Sequence, residues 1–209
     1  MKKTLFQLNA SLYSSGGQST RLANEFVARW RKQNPGATVI VRDLARDLVP
    51  HLTAERFEAF LRKPEERNGE QRAVVAYSDA LIEELRRADV IVLGLPMYNF
   101  GVPSTLKAYF DHIARAGVTF RYTEKGAVGM LTGKTAYVFT TRGGRYAGTP
   151  QDTQTAYVRQ FLGFLGITDV EFVYAEGLAI SAASKEAALA QAKHAIERLT
   201  SAQPTAIAA

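Results

Sequence analysis

The run Val90 to Leu95, closed by Asp89 in front and Pro96 behind, is the feature that most constrains the fold of this chain. A short apolar segment ended by turn residues suits a strand buried on both faces, as in a parallel sheet. Met97-Tyr98-Asn99-Phe100-Gly101 follows, where such a sheet has its carboxyl edge. Pro103-Ser104-Thr105 then opens a helix in which Leu106, Tyr109, Phe110 and Ile113 recur at helical spacing. Ligands of open α/β sheets sit at the carboxyl ends of strands, near the switch in strand order. Tyr98 and Phe100 offer flat apolar faces, Asn99 a donor and an acceptor, and Gly101 room for close backbone approach. The set suits a planar heteroaromatic ring with a polar edge. An ordinary connecting loop whose aromatics cover the core has the same composition.

The rest of the chain repeats the alternation of strand and helix. Thr4 to Leu8 reads as a strand, and Asn9 to Ser19 as a polar, glycine-bearing loop without an acid. A helix marked by Leu22, Phe26, Val27 and Trp30 ends near Asn34-Pro35-Gly36. A helix start behind a Ser/Gly loop can hold an anion through free N–H groups, the helix dipole and hydroxyls. A plain turn capped by Ser19 or Thr20 is the alternative. The loop lacks both the dinucleotide glycine spacing and the GK[ST] ending of a triphosphate loop, so a mononucleotide phosphate fits it better.

Thr38 to Val41 forms the second strand. Residues 50–70, with a short helix over Glu55–Leu61, read as a surface insertion. A helix from about Gln71 to Ala88 leads into the buried run. Val118 to Tyr122 alternates as a short extended piece, with Phe120 and Tyr122 on one side. Gly126, Gly129 and Gly133 mark turns. Lys134 to Thr140 is the fourth strand and ends in Thr141-Arg142-Gly143-Gly144, a second acid-free edge loop whose glycines let backbone amides approach a ligand. A helix over about Thr153–Leu165, a fifth strand over Asp169–Tyr174 and a helix over about Lys185–Thr200, capped by Ser184, complete the pattern. Residues 201–209 read as a frayed tail.

Five strands alternating with helices predict one α/β domain over residues 1–209: a doubly wound five-stranded parallel sheet with helices on both faces. Right-handed crossovers place the loops after the first, third and fourth strands side by side. Their agreement on phosphate and ring chemistry carries the reading from the residues alone.

Composition narrows the partners. The chain has no cysteine, which excludes disulfides and thiolate chemistry and fits a reducing compartment. His51, His112 and His194 are dispersed without ligand spacing, so no metal site is expected. No apolar run reaches the length of a membrane span, and Met1-Lys2-Lys3 enters a strand with no leader-like segment, so a cytoplasmic location is expected. The net charge of +6 is spread among interleaved acids, as in RKPEERNGEQR, which argues against a nucleic-acid partner.

Three segments, PMYNFGVPSTLKAYFDHIARAGVTFRYTEKG, TGKTAYVFTTRGG and FLGFLGITDVEFVYAEG, resemble the FMN-dependent NADH:quinone oxidoreductases, also called azoreductases, of the flavodoxin-like superfamily. The resemblance runs from about Leu5 to Leu199. It implies a homodimer with two flavin sites at the subunit interface, and electron transfer from NADH or NADPH through FMN to quinones or aromatic azo compounds. It places the phosphate on Ser11 and Gly17-Gln18-Ser19, the ring on Met97-Tyr98-Asn99-Phe100, and the ring's polar edge on Thr141-Arg142-Gly143-Gly144. Phe120, with Phe164 from the partner subunit, would match the aromatic substrate pocket. FMN carries the chemistry in such a reading, so no catalytic side chain is assigned. After the glycine pair the family often has an apolar residue and a histidine, whereas this chain has Arg145-Tyr146. Tyr146 would border the substrate pocket, so the departure bears on substrate preference. A flavodoxin-type electron carrier without substrate turnover is the alternative; such carriers are typically acidic, unlike this chain.

Overall fold

The computed structural model describes residues 2–201. Strands β1 (Thr4–Asn9), β2 (Thr38–Asp43), β3 (Val90–Pro96), β6 (Thr135–Thr141) and β7 (Asp169–Ala175) form one parallel sheet in the order β2-β1-β3-β6-β7. Every residue of β3 is buried, and the strand is bonded on both sides. The expected five-stranded sheet is therefore present. The expected extended piece is half of a separate hairpin, β4 (Phe120–Thr123) against β5 (Gly126–Gly129), so Gly126 and Gly129 bound a strand. The rings of Phe120 and Tyr122 share a side, with centroids 5.4 Å apart.

Alternation along the strands divides the core in two. Helices α1 (Gln18–Gln33) and α6 (Ala182–Ser201) cover one face, where Leu22, Phe26, Trp30 and Ile196 meet Leu5, Val92 and Phe139. Helices α3 (Gly69–Arg87), α4 (Ser104–Ile113) and α5 (Thr153–Phe164) cover the other, around Phe6, Ile91, Leu93, Tyr109 and Leu162. The 50–70 insertion carries α2 (Ala54–Leu61), which buries Ala59 and packs on α3. The expected tail beyond Ser201 lies outside the described residues.

Helix starts differ from the sequence reading where the cap is local. Asn68 and Gln71 form a reciprocal capping box, so α3 begins at Gly69 and not at Gln71. The Ser181 hydroxyl accepts from the Ser184 amide, so Ser181, not Ser184, serves the first turn of α6. Gly17 precedes α1, which leaves Ser19 and Thr20 inside its first turn and not at the cap.

His112 on α4 is buried between the edges of the Phe60 and Tyr77 rings. Its Nδ1 faces the Ala108 carbonyl at 3.0 Å, and its Nε2 has no partner among the described residues. Burial pulls its pKa below the ordinary 6.5. The unfolded chain therefore takes up a proton near 6.5 that the folded chain refuses, so stability falls as pH drops below that value. Urea midpoints measured from pH 7.5 to 5 are expected to decline less in His112→Leu than in the wild type; equal declines would contradict the assignment.

Candidate functional site at the carboxyl edge of the sheet

Because β1, β3 and β6 are neighbours, the segments that follow them meet at one edge. The Ala10 amide donates to Gly94 O at 2.9 Å and the Met97 amide to Thr141 O at 2.9 Å, which ties each segment to the next. Gly94 allows the first turn of α1 to rest on β3. A Cβ there would stand 3.2 Å from both Asn9 Oδ1 and Ser19 O.

The first segment forms a donor-rich cradle. Ser11 is buried, and a Cβ on Gly17 would stand 2.0 Å from its Oγ, so only glycine admits this approach. The amides of Gln18, Ser19 and Thr20 have no acceptor among the described residues, and the first turn of α1 holds no acid. The Ser19 Oγ and Thr20 Oγ1 are buried without a partner. Such orphaned donors at a helix start fit a phosphate. One acid that the loop's own sequence does not show stands beside it: Asp43, at the end of β2, accepts from the Ser14 hydroxyl and fixes the short 3-10 turn Ser14–Gly16.

The second segment is a tight turn. Tyr98 and Gly101 exchange both backbone hydrogen bonds, 3.2 and 3.0 Å. Between them Asn99 and Phe100 have φ of 49° and 64°, the signature of a primed hairpin turn. Two successive non-glycine residues in the left-handed region cost energy that only the surroundings can offset. Those surroundings are the start of α5: Gln154 Nε2 donates to Pro96 O and Gly101 O, and the Thr153 hydroxyl to Phe100 O. The Phe100 ring stays 53 % exposed and meets the Tyr146 ring edge-on, centroids 5.5 Å apart.

The third segment differs from the sequence reading at one residue. The Arg142 side chain does not face the edge; it is buried under the loop, 1 % exposed. There it donates to Glu176, Asp152 and Thr155, at 2.9, 2.9 and 2.8 Å, with Tyr174 beneath its plane. Burial works to raise the Asp152 carboxyl, but Arg142 and Thr155 outweigh it and hold the group below the usual carboxylate range. The amides of Gly143 and Gly144 have no acceptor among the described residues. The Tyr146 hydroxyl lies over Gly144, 2.5 Å from where a Cβ would stand.

A cleft of about 970 Å³ opens beside the second segment, lined by Met97, Tyr98 and Asn99 together with Leu12, Ser104, Lys107, Gln154 and Tyr157. Leu12, Lys107, Gln154, Asp152 and Glu176 were not singled out by the sequence. Only Asp152, as a helix cap before Thr153, carries a local signal. Phe120 and Phe164 pack on each other within one chain, centroids 4.3 Å apart, but at the opposite edge of the sheet. The carbonyl of neighbouring Val118 accepts from Arg86, at the helix end that precedes β3. The ten residues of α4, about 15 Å of helix, separate this pair from the loops of its own chain.

Among the described residues no helix is long and apolar enough to cross a membrane, and no cluster of His, Cys, Asp and Glu could hold a metal. Residues 3–199 match the family model described as flavodoxin-like fold. An FMN-dependent NADH:quinone oxidoreductase of Cellvibrio japonicus is 56% identical over 195 residues, 93% of this chain and 97% of that protein. One from Burkholderia lata is 57% identical over 193 residues, 92% of this chain and 98% of that protein. Among solved structures, an azoreductase from Bacillus anthracis superposes with a TM-score of 0.86 at 28% identity, covering 97% of this chain and all of that one. An FMN-dependent NADH-azoreductase of the same species, solved in complex with FMN, gives 0.83 at 26% identity over 95% of this chain and 100% of that one. An edge of three adjacent loops, two of them with spare donors, on this sheet and with these relatives, places the chain in the family of FMN-dependent NADH:quinone oxidoreductases of flavodoxin-like fold.

Proposed function

We propose that the protein is an FMN-dependent oxidoreductase that moves two electrons from NADH or NADPH to quinones and aromatic azo compounds. The observation that carries this reading is the pairing of two sets of spare donors at one sheet edge, Gln18 to Thr20 and Gly143 to Gly144, with an aromatic turn between them. Two such sets on neighbouring loops suit a ligand with a phosphate at one end and a polar-edged ring at the other. When bound, FMN supplies the chemistry by accepting a hydride equivalent from the nicotinamide and passing the electron pair to the acceptor. Relatives named for this activity span nearly the whole chain, which favours an enzyme over a one-electron carrier.

The chain's own groups bind, orient and exclude water. Ser11 and the amides and hydroxyls at the start of α1 hold the phosphate, with Gly17 giving the room. Met97, Tyr98, Asn99 and Phe100 line the ring. Thr141 and the amides of Gly143 and Gly144 meet its polar edge, where N–H dipoles favour added negative charge. Arg142 contributes its backbone and, through its buried side chain, the support beneath.

The position of the aromatic pair supports a homodimer. Phe120 and Phe164 can line a substrate pocket only in a second copy, because their own chain holds them at the far edge. Tyr146 borders that pocket through its contact with Phe100. A cytoplasmic setting agrees with the donor and with the absence of cysteine.

Purified protein is expected to show flavin absorption near 370 and 450 nm, about the range of free flavins, that bleaches on anaerobic NADH and returns with a quinone. Protein that stays colourless after addition of FMN would remove the reading. A Cβ at residue 17 must displace Ser11, so Gly17→Ala is expected to weaken FMN at least about tenfold while riboflavin, which lacks the phosphate, loses little. Equal losses for both ligands would remove the phosphate from this cradle.

A further inference from the structure

Resting on the flavin reading, we infer that Glu176 is a positioning residue: its carboxylate, anchored by the buried Arg142, latches the loop after β6 so that the Gly143 and Gly144 amides face the ring. The Glu176 Oε1 receives Arg142 Nη1 at 2.9 Å, the Tyr146 amide at 3.0 Å and the Ala147 amide at 3.0 Å, and Oε2 receives Ala147 at 3.2 Å. One charged group thus closes the far end of the loop from beneath.

The rest of the loop is held by backbone on the same underside. The carbonyls of Arg142, Gly143 and Gly144 accept from the amides of Leu178, Ala179 and Gly177, at 3.1, 3.1 and 2.8 Å. With those carbonyls engaged below, the peptide planes leave the Gly143, Gly144 and Arg145 amides without an acceptor among the described residues. Unpaired donors in succession favour an anionic or electron-rich edge. Glycines resist no rotation of their own, so the orientation depends on those bonds from beneath and on what fastens the loop on either side. On one side that is β6, and on the other it is Glu176.

Arg142 makes the latch rigid. Its guanidinium is shared between Glu176 on one flank and Asp152 with Thr155 on the other, over the Tyr174 ring. A carboxylate so anchored cannot follow the loop outward. Charge-assisted bonds of this kind are shorter and stronger than neutral ones.

The test compares three variants of the full chain. Glu176→Ala removes the acceptor for Tyr146 and Ala147, Glu176→Gln keeps one oxygen in place, and Thr155→Val loosens Arg142 on the flank away from the loop. In Glu176→Ala the FMN Kd is expected to rise about tenfold and the bound-flavin potential to become more negative. Glu176→Gln should restore most of both. Thr155→Val, which leaves the Arg142–Glu176 pair in place, should lower Tm while shifting affinity and potential much less than Glu176→Ala does. Hydrogen exchange at the Tyr146 and Ala147 amides, measured without FMN, should quicken in Glu176→Ala. Wild-type affinity and potential in Glu176→Ala would overturn the inference, as would an equal shift in Thr155→Val. If the wild type takes up no FMN the flavin reading fails, and unchanged exchange in Glu176→Ala would then separately overturn the latch.

Discussion

The arrangement of this protein depends on one strand that has no solvent face. Every residue of β3 is buried, so its backbone must be satisfied by a neighbour on each side and its side chains by a layer above and below. Those demands place β1 and β6 beside it and require helices on both faces. They also require that each connection return the chain to the amino edge before the next strand. The loops that leave β1, β3 and β6 are thereby neighbours without any contact of their own having to enforce it. The site is a by-product of burying Val90 to Pro96.

At the carboxyl edge the usual accounting of polar groups is left open. In the interior most buried donors and acceptors of the described residues find partners, with His112 Nε2 and the Tyr109 hydroxyl among the exceptions. At the starts of α1 and of the loop after β6, the amides of residues 18–20, 143 and 144 and the hydroxyls of Ser19 and Thr20 do not. Between them sits the strained pair Asn99 and Phe100. The deficit is offset from below: Gln154 and Thr153 hold the strained turn, Glu176 and Arg142 the glycine loop, and Asp43 the 3-10 turn after β1. At this edge the spare donors of residues 18–20, 143 and 144 lie on one side and the groups that fasten their loops on the other, a division between exposed need and support beneath. A folded chain keeps such a division only where something outside it completes the set.

The sequence made the sheet legible because its signals are dense and local. The apolar run of β3, the alternation of strand and helix, and the acid-free loops each repeat over several residues, and none needs a distant partner to be recognised. Features set by a single side chain were harder. The Asn68–Gln71 cap hides in a charged stretch, and Ser181 and Ser184 are equivalent by composition. Arg142 beside two glycines gives no sign of where its side chain goes. Only the fold shows that Asp152 and Glu176, ten and thirty-four residues away, draw it under the loop. Glu176 itself has no local pattern to announce it.

The separation of Phe120 from the loops has the same origin as their adjacency. A parallel sheet built from right-handed crossovers sends all helix starts to one edge and all helix ends to the other. Phe120 follows α4 and Phe164 closes α5, so both belong to the amino edge as surely as Met97 and Gly143 belong to the carboxyl edge. No rearrangement of side chains within one subunit can bring them together, since the length of α4 stands between them. The proposed pocket, if it uses both sets, therefore needs a second copy of the chain. In such an assembly substrate preference would rest on residues of both copies: Tyr146 and Phe100 beside the ring, and Phe120 and Phe164 across from it.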